Sequence, residues 1–407
     1  MVDISRIRFA YPEMIASALP AIDERNDSNS GKKIKIVYLM TSCKRKGPTK
    51  QTLYIIKNLD HSVFDPILIT IYDEDPSSCM VDYLPYVSSH YLVKTSKQAI
   101  ILGRYNELKR KLEELKPDII HSVGVFPDYA ISRIGKYKQV HTLRNYIWDD
   151  YPAQFGKIRG AILAWLQLSA MKRSTKAIAC SSSLSKIYME RLGMKFDFIR
   201  NGVDVNQYVS ATDDEKRVIR EKLGLPADSF IFVCMCSFIM RKNMPFLLEN
   251  YAKAFGTDER TYLLLLGDGP ELRSLEKKYK DNPRIDFRGK VKIVSDFLKA
   301  SDAYVSTSKS EGLPNSVMEA MAAGLPVVLS DIEQHREFFE ANDRIGYLYR
   351  QGDSADLIEK LRLIRGGKAA EAGRVAYEVV RENFNAEKMS LQYQEVYKKI
   401  AGYPEKI

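Results

Sequence analysis

The sequence is poor in what a membrane-spanning, secreted or metal-built protein needs. Long apolar runs are missing: the longest, Ala161 to Met171, is interrupted by Gln167 and falls far short of the roughly 20 residues that span a bilayer. Met1 to Ser30 has no apolar signal core and is broken by Pro12 and Pro20, so the chain reads as cytoplasmic, with residues 1–31 as an extension. Cysteine is scarce and odd in number: Cys43, Cys79, Cys180, Cys234 and Cys236, without knuckle spacing. They read as free thiols of a reducing compartment. Cys234 and Cys236 alternate in a strand-like run, where packing is the better explanation than metal. There is no zinc-finger spacing and no aromatic RNP-like run, which argues against nucleic acid as a partner.

What is present is a 407-residue chain with 45% apolar and 28% charged residues. That is a globular composition, and the length suits two domains of roughly 150–200 residues. Short apolar runs alternate with helical patterns. Lys35–Met40, Pro66–Ile71, Asp118–Ser122, Val140–Leu143 and Ala177–Ser181 form one series of candidate strands. A second series is Ser229–Met235, Tyr262–Leu266, Arg284–Phe287, Ala303–Ser306 and Pro326–Leu329. Such alternation predicts two doubly wound α/β domains with parallel sheets, facing across a cleft and binding ligands at the carboxyl ends of their strands. A linker is expected near Asn206 to Glu215. The net charge of +10 lies wholly in Met1–Val205, with 31 basic and 21 acidic residues there and 31 of each beyond. This has two readings, an anionic partner for the first half or a solubilising surface. Lys157 to Lys172 also has two: a core helix, or an amphipathic helix with basic ends lying on a membrane.

The stretch Ser308 to Val328 carries the chemistry. It follows one predicted strand and leads into another, with Gly312 and Pro314 making a turn and Asn315 or Ser316 placed to cap a helix, Val317–Ala323. A glycine-containing loop entering a helix N-terminus favours phosphate. Glu311 and Glu319 flank the loop at a spacing of eight, and a carboxylate can accept two hydroxyls of a ribose or sugar. For Glu319 a capping box with Ser316 is the competing explanation; for Glu311 it is a solvated loop acid.

This Glu-x7-Glu stretch resembles the signature of the retaining GT-B glycosyltransferases of the group-1 type, glycosyltransferase family 4. Other segments resemble that family in the expected order: Pro117-Asp-Ile-Ile-His121, Asn201-Gly-Val-Asp204, Arg241-Lys-Asn243, Gly267-Asp-Gly-Pro270 and Phe287-Arg-Gly289. The resemblance implies a GT-B fold with an acceptor-binding Rossmann-like domain over 32–205, completed by a helix near 385–407 crossing back, and a nucleotide-sugar domain over 206–384. It implies retaining transfer of a hexose, with a UDP-sugar as expected donor, to an acceptor hydroxyl in polysaccharide or glycan biosynthesis. Glu311, Lys242 and Arg241 take the catalytic places. Glu319 would hold the ribose, and Gly312, Leu313, Pro314 and Asn315 the distal phosphate. Gly47, Arg288 and Val291 complete the donor contacts, and Arg144, His121 and Asn145 lie on the acceptor side. Lysine and helix N–H groups stand where a metal would, so no cofactor is expected; Asp73-Glu74-Asp75 has the letters of a metal motif but reads as a solvated turn in the wrong half.

The sequence departs from the family pattern at four places. Lys46-Gly47-Pro48-Thr49 replaces paired glycines, Arg144 a histidine, Cys236-Ser237 a glycine–arginine pair, and Arg200 a proline. Arg144 trades acid–base capacity for anion binding. With Lys44, Arg45, Lys46 and Lys50 it predicts an anionic acceptor, a glycan or phosphate-bearing lipid-linked oligosaccharide, and a peripheral place on the inner membrane face. His121 has two readings, substrate contact or structural hydrogen bonding, and His335 is expected on the surface. Two rivals remain: a nucleotide-sugar epimerase on the same fold, and a nucleotide-sugar-binding protein without turnover.

Overall fold

The computed structural model describes residues 32–256 and 258–403; the expected extension, residues 1–31, lies outside them. The chain forms two compact units. The first takes residues 32–180, 188–199 and 387–403, the second Ser181–Ile187 and Arg200–Ala386. The segment 206–215, expected as a linker, lies within the second unit, where Thr212 and Glu215 form a capping box at the start of the helix Asp213–Leu223.

The first unit holds a seven-stranded parallel sheet: β1 (Ile34–Met40), β2 (Phe64–Thr70), β3 (Ser89–Leu92), β4 (Ile119–Val123), β5 (Lys138–Leu143), β6 (Lys176–Ala179) and β7 (Asp197–Phe198), in the order 3-2-1-4-5-6-7. Ile36 pairs with both Pro66 and Ile119, fixing β1 between β2 and β4. Val37, Leu39, Ile67, Ile69 and Ile120 pack with Leu108, Leu112 and Ile131 of covering helices. Because the sheet is covered on both faces, its inner strands read as continuous apolar runs. The C-terminal helix Ala386–Ala401 brings Tyr393 and Tyr397 into this unit.

The second unit repeats the winding with six strands: β8 (Phe230–Met235), β9 (Thr261–Leu266), β10 (Ile285–Gly289), β11 (Ala303–Ser306), β12 (Val327–Ser330) and β13 (Gly346–Tyr349), in the order 10-9-8-11-12-13. Phe232, Leu263, Leu265, Val305 and Val328 form its core with Leu247, Leu248 and Tyr251. Strand order reverses between β8 and β11, and a doubly wound sheet binds its ligand where the loops leaving two such strands diverge. β3, β7 and β13, absent from the sequence reading, are edge strands. Their side chains are mostly half-exposed, so they lack the apolar run that marks an inner strand.

Candidate donor site

The two loops leaving β8 and β11 carry the charged residues that the sequence singles out. After β8 the chain makes a short 3-10 turn, Met240–Lys242, and Asn243 takes a left-handed conformation (φ 55°) before the helix Met244–Phe255. Asparagine tolerates that region better than other non-glycine residues. After β11, Thr307 donates through Oγ1 to the carbonyls of Lys242 and Asn243 at 3.1 and 3.2 Å, and Lys309 N–H donates to Arg241 at 2.8 Å. The loops are therefore fastened to each other through backbone. The Gly267-Asp-Gly-Pro turn after β9 packs directly on the β8 loop: a Cβ at Gly267 would lie 1.8 Å from the Cys236 carbonyl oxygen, and one at Gly269 2.5 Å from that of Phe238.

Glu311 sits at the centre, 7% exposed. Arg241 donates to it at 2.8 Å and to the Ser310 carbonyl at 2.7 Å, while Lys242 forms an ion pair with its other oxygen. Burial alone would raise the Glu311 carboxyl, but the two cations overcome that and hold it at about 2. It is a buried ion triad, not a solvated loop acid. The helix Asn315–Ala322 begins directly beyond, with Pro314 as its N-cap and no side-chain cap. The Ser316–Glu319 capping box is not formed: the Ser316 hydroxyl instead receives Tyr304 Oη at 2.9 Å. Glu319, 7% exposed, lies in the second turn of this helix. Leading into it, the Gly312 carbonyl accepts Ser181 Oγ and the Leu313 carbonyl accepts Asn201 Nδ2, both at 3.1 Å. With its carbonyls held this way, the segment turns into a helix whose first N–H groups have no intrahelical acceptor.

The structure corrects several expectations. His335 is wholly buried in the helix Glu333–Ala341, with Nδ1 2.8 Å from the Ser330 carbonyl. Burial lowers its pKa to about 4 against the opposing pull of Glu311. His121 is also fully buried. Its ring nitrogens lie 2.6 Å from Tyr397 Oη and 2.9 Å from Thr142 Oγ1, and its ring packs against Tyr38 and Tyr393. Both nitrogens are thus engaged by the protein, and His121 serves packing. Burial, reinforced by Arg144, holds it neutral. Asp73–Asp75 is not a merely solvated turn. Glu74 accepts the Cys43 N–H at 2.8 Å, Asp75 pairs with Lys44 at 3.0 Å and Asp73 with Lys94 at 2.9 Å. Arg45 pairs with Asp82 at 3.1 Å, so two of the four cations after β1 are compensated.

The remaining candidates fall at strand and helix ends. Gly47 opens the helix Gly47–Lys57 after β1. Arg144 and Asn145 follow β5, and Asn145 Nδ2 donates to Asp150 at 3.1 Å. Arg288 is the penultimate residue of β10, where its Nη1 donates to the Leu223 carbonyl at 2.8 Å, and Val291 lies in the loop beyond. Glu337 belongs to no motif and carries no local signal. This carboxylate, 1% exposed, accepts Ser182 and Ser183 N–H at 3.1 Å, Ser183 Oγ at 2.7 Å and Arg200 Nε at 2.6 Å. Arg200, where the family pattern has proline, is thereby explained: it is the counterion of a buried acid. All five cysteines are free, and the Cys234 and Cys236 thiols rest 3.8 and 3.4 Å from Met244 Sδ. Among the described residues, no three histidine, cysteine, aspartate or glutamate side chains converge to hold a metal, and no helix is long and apolar enough to cross a membrane.

Comparison with known sequences decides the family. A profile described as Glycosyl transferases group 1 matches residues 229–364, and one described as Glycosyltransferase Family 4 matches residues 46–207. The chain belongs to glycosyltransferase family 4. It is similar to the O-antigen biosynthesis glycosyltransferase WclY of Escherichia coli, 24% identical over 374 residues that cover 89% of this chain and 98% of that protein. It is also similar to the UDP-Gal:alpha-D-GlcNAc-diphosphoundecaprenol alpha-1,3-galactosyltransferase of E. coli, 26% identical over 347 residues covering 81% and 87%. Among solved structures, HepE of Anabaena in complex with UDP and glucose superposes with a TM-score of 0.74 at 18% identity, covering 90% of this chain and all of that one. The two Rossmann-like units of this glycosyltransferase constitute a GT-B fold.

Proposed function

We propose that this glycosyltransferase transfers a hexose from a nucleoside-diphosphate sugar, with UDP as the nucleotide, to an acceptor hydroxyl with retention at the anomeric carbon. The observation that carries the proposal is the Arg241–Glu311–Lys242 triad beside the N-terminus of the helix Asn315–Ala322, at the reversal between β8 and β11. A diphosphate seated there meets two cations and a helix N-terminus, which neutralise the charge that develops as the glycosidic bond breaks. Glu319 accepts the ribose hydroxyls, and Arg288 and Val291 make further donor contacts. Glu311 is a poor covalent nucleophile, because cations occupy both its oxygens and its pKa is held at about 2. It is better suited to orienting the cations and the sugar hydroxyls, which favours return of the acceptor on the leaving-group face. The cations do a metal's work here, so turnover is proposed to be metal-independent.

The acceptor is proposed to be lipid-linked and phosphate-bearing, as part of surface polysaccharide biosynthesis. The activity for which the galactosyltransferase relative is named, the excess charge of the first half and Arg144 support this. The test is a product assay with a panel of nucleotide sugars and a diphosphate-lipid acceptor, reading anomeric configuration by NMR. A retained glycoside plus free nucleoside diphosphate is expected. An epimerised nucleotide sugar, an inverted product, or binding without turnover would overturn the reading.

A further inference from the structure

The helix Lys157–Met171 uses one face for the core and leaves the other apolar and uncovered. Gly160, Ala164, Ala170 and Met171 are buried. Gly160 lets the preceding helix, Ile147–Phe155, approach so closely that a Cβ there would lie 2.3 Å from Pro152 N. The opposite stripe holds Ile158, Ile162 and Trp165, exposed by 80, 52 and 55%, and Phe155 at the end of the preceding helix adds 47%. Spacings of four and three residues place the first three on one helical stripe. Lys157, Arg159, Lys172 and Arg173, all exposed, bracket the stripe at both ends. None of the four is in an ion pair among the described residues, and residues 157–173 contain no aspartate or glutamate.

We infer that this face docks the protein on an anionic phospholipid surface. A stripe of isoleucine and tryptophan between clusters of free cations is what an in-plane interfacial helix presents, with apolar groups at the headgroup boundary and cations on lipid phosphates. The charge pattern argues against a second copy of this chain: a two-fold contact through the stripe would bring like-charged helix ends together. The inference rests on the proposed lipid-linked acceptor for its purpose, and it is tested apart from it.

The experiment uses the full chain carrying Trp148→Phe, which leaves Trp165 as the sole tryptophan reporter of two. Vesicles of phosphatidylcholine alone and with about one-third phosphatidylglycerol are compared by flotation and by Trp165 emission, at low and high salt. Expected are binding to the anionic vesicles, a blue-shifted Trp165 and at least tenfold weaker partitioning at high salt. Ile158→Ser with Ile162→Ser should lower partitioning at least tenfold, and Lys157→Glu with Arg159→Glu should abolish the preference for anionic lipid. Both pairs should keep the wild-type melting temperature and their turnover on a soluble acceptor analogue. Equal partitioning by wild type and both variants, or no binding at all, would overturn the inference. So would a wild-type dimer in sedimentation that the Ile158→Ser, Ile162→Ser variant dissociates. Vesicle binding without transferase activity would instead sink the proposed function and leave the docking face standing.

Discussion

Replacing Glu311 with glutamine tests the donor site through a sign that few other arrangements produce. The substitution keeps shape and removes charge. In the ligand-free protein it leaves Lys242 and Arg241, whose side chains are 12 and 18% exposed, as buried cations without their counterion. Breaking a buried pair in this way costs about 3–5 kcal/mol. An independent route agrees: a carboxyl held at about 2 instead of its ordinary 4.5 is stabilised in its ionised form by about 3 kcal/mol. For a unit of this size that corresponds to a melting temperature lower by about 6–12 °C. A nucleoside diphosphate restores the missing negative charge. Saturating UDP should therefore raise the melting temperature of Glu311→Gln by more than it raises wild type, although the variant turns over at least a hundredfold more slowly. Differential scanning fluorimetry with and without UDP reads both effects. A variant that melts with wild type, or that UDP stabilises less than wild type, would show that the triad is not the diphosphate seat.

Lys242→Ala should lower kcat at least tenfold, since one charged contact to a leaving group is worth about 2–4 kcal/mol; Glu319→Gln should mainly weaken nucleotide affinity, measured by calorimetry, with little change in melting temperature. Turnover should persist in excess EDTA; complete loss restored by magnesium or manganese would refute metal independence. The buried His335 has its pKa lowered from 6.5 to about 4, so its neutral form stabilises the fold above pH 6.5 and that contribution is lost as pH falls toward 4. Glu311, lowered toward 2, loses its contribution only between pH 4.5 and 2. His335→Gln should accordingly flatten the melting-temperature profile between pH 6.5 and 4 and leave the steeper acid limb, whereas an unchanged profile would place that titration elsewhere.

The inner strands and the charged donor loops were legible because each carries a strong local signal. β8 and β9 are continuous apolar runs, and Arg241-Lys-Asn243, Gly267-Asp-Gly-Pro270 and Glu311 to Glu319 are short motifs whose residue types answer to phosphate and sugar. What was not legible depends on partners distant in sequence. His335 reads as a surface residue because polar Gln334 and charged Arg336 flank it, yet helix phase turns it onto the Ser330 carbonyl. Glu337 has no motif of its own; its role exists only because the Ser182 and Ser183 N–H groups and Arg200 meet it from more than 130 residues away. The capping box failed for a related reason. Tyr304 claims the Ser316 hydroxyl, and the helix starts two residues too early for Ser316 to cap it.

Charge placement shows the same limit with a functional consequence. By sequence, the cations after β1 were the natural anion site of the first half. In the fold the acidic turn Asp73–Asp75 and Asp82 lie against that loop, and Lys44 and Arg45 are spent on internal pairs. These pairs do not spend the positive excess of residues 1–205, which other cations of the first unit carry. Lys157, Arg159, Lys172 and Arg173 are exposed and free of ion pairs among the described residues, and between them lies an apolar stripe that the core does not use. Charge reversal of Lys44 and Arg45 should disturb the loop they pin, whereas reversal at Lys157 and Arg159 should leave the fold intact and remove the attraction to anionic lipid. Salt-dependent vesicle binding that follows the first pair and ignores the second would return the anionic contact to the β1 loop.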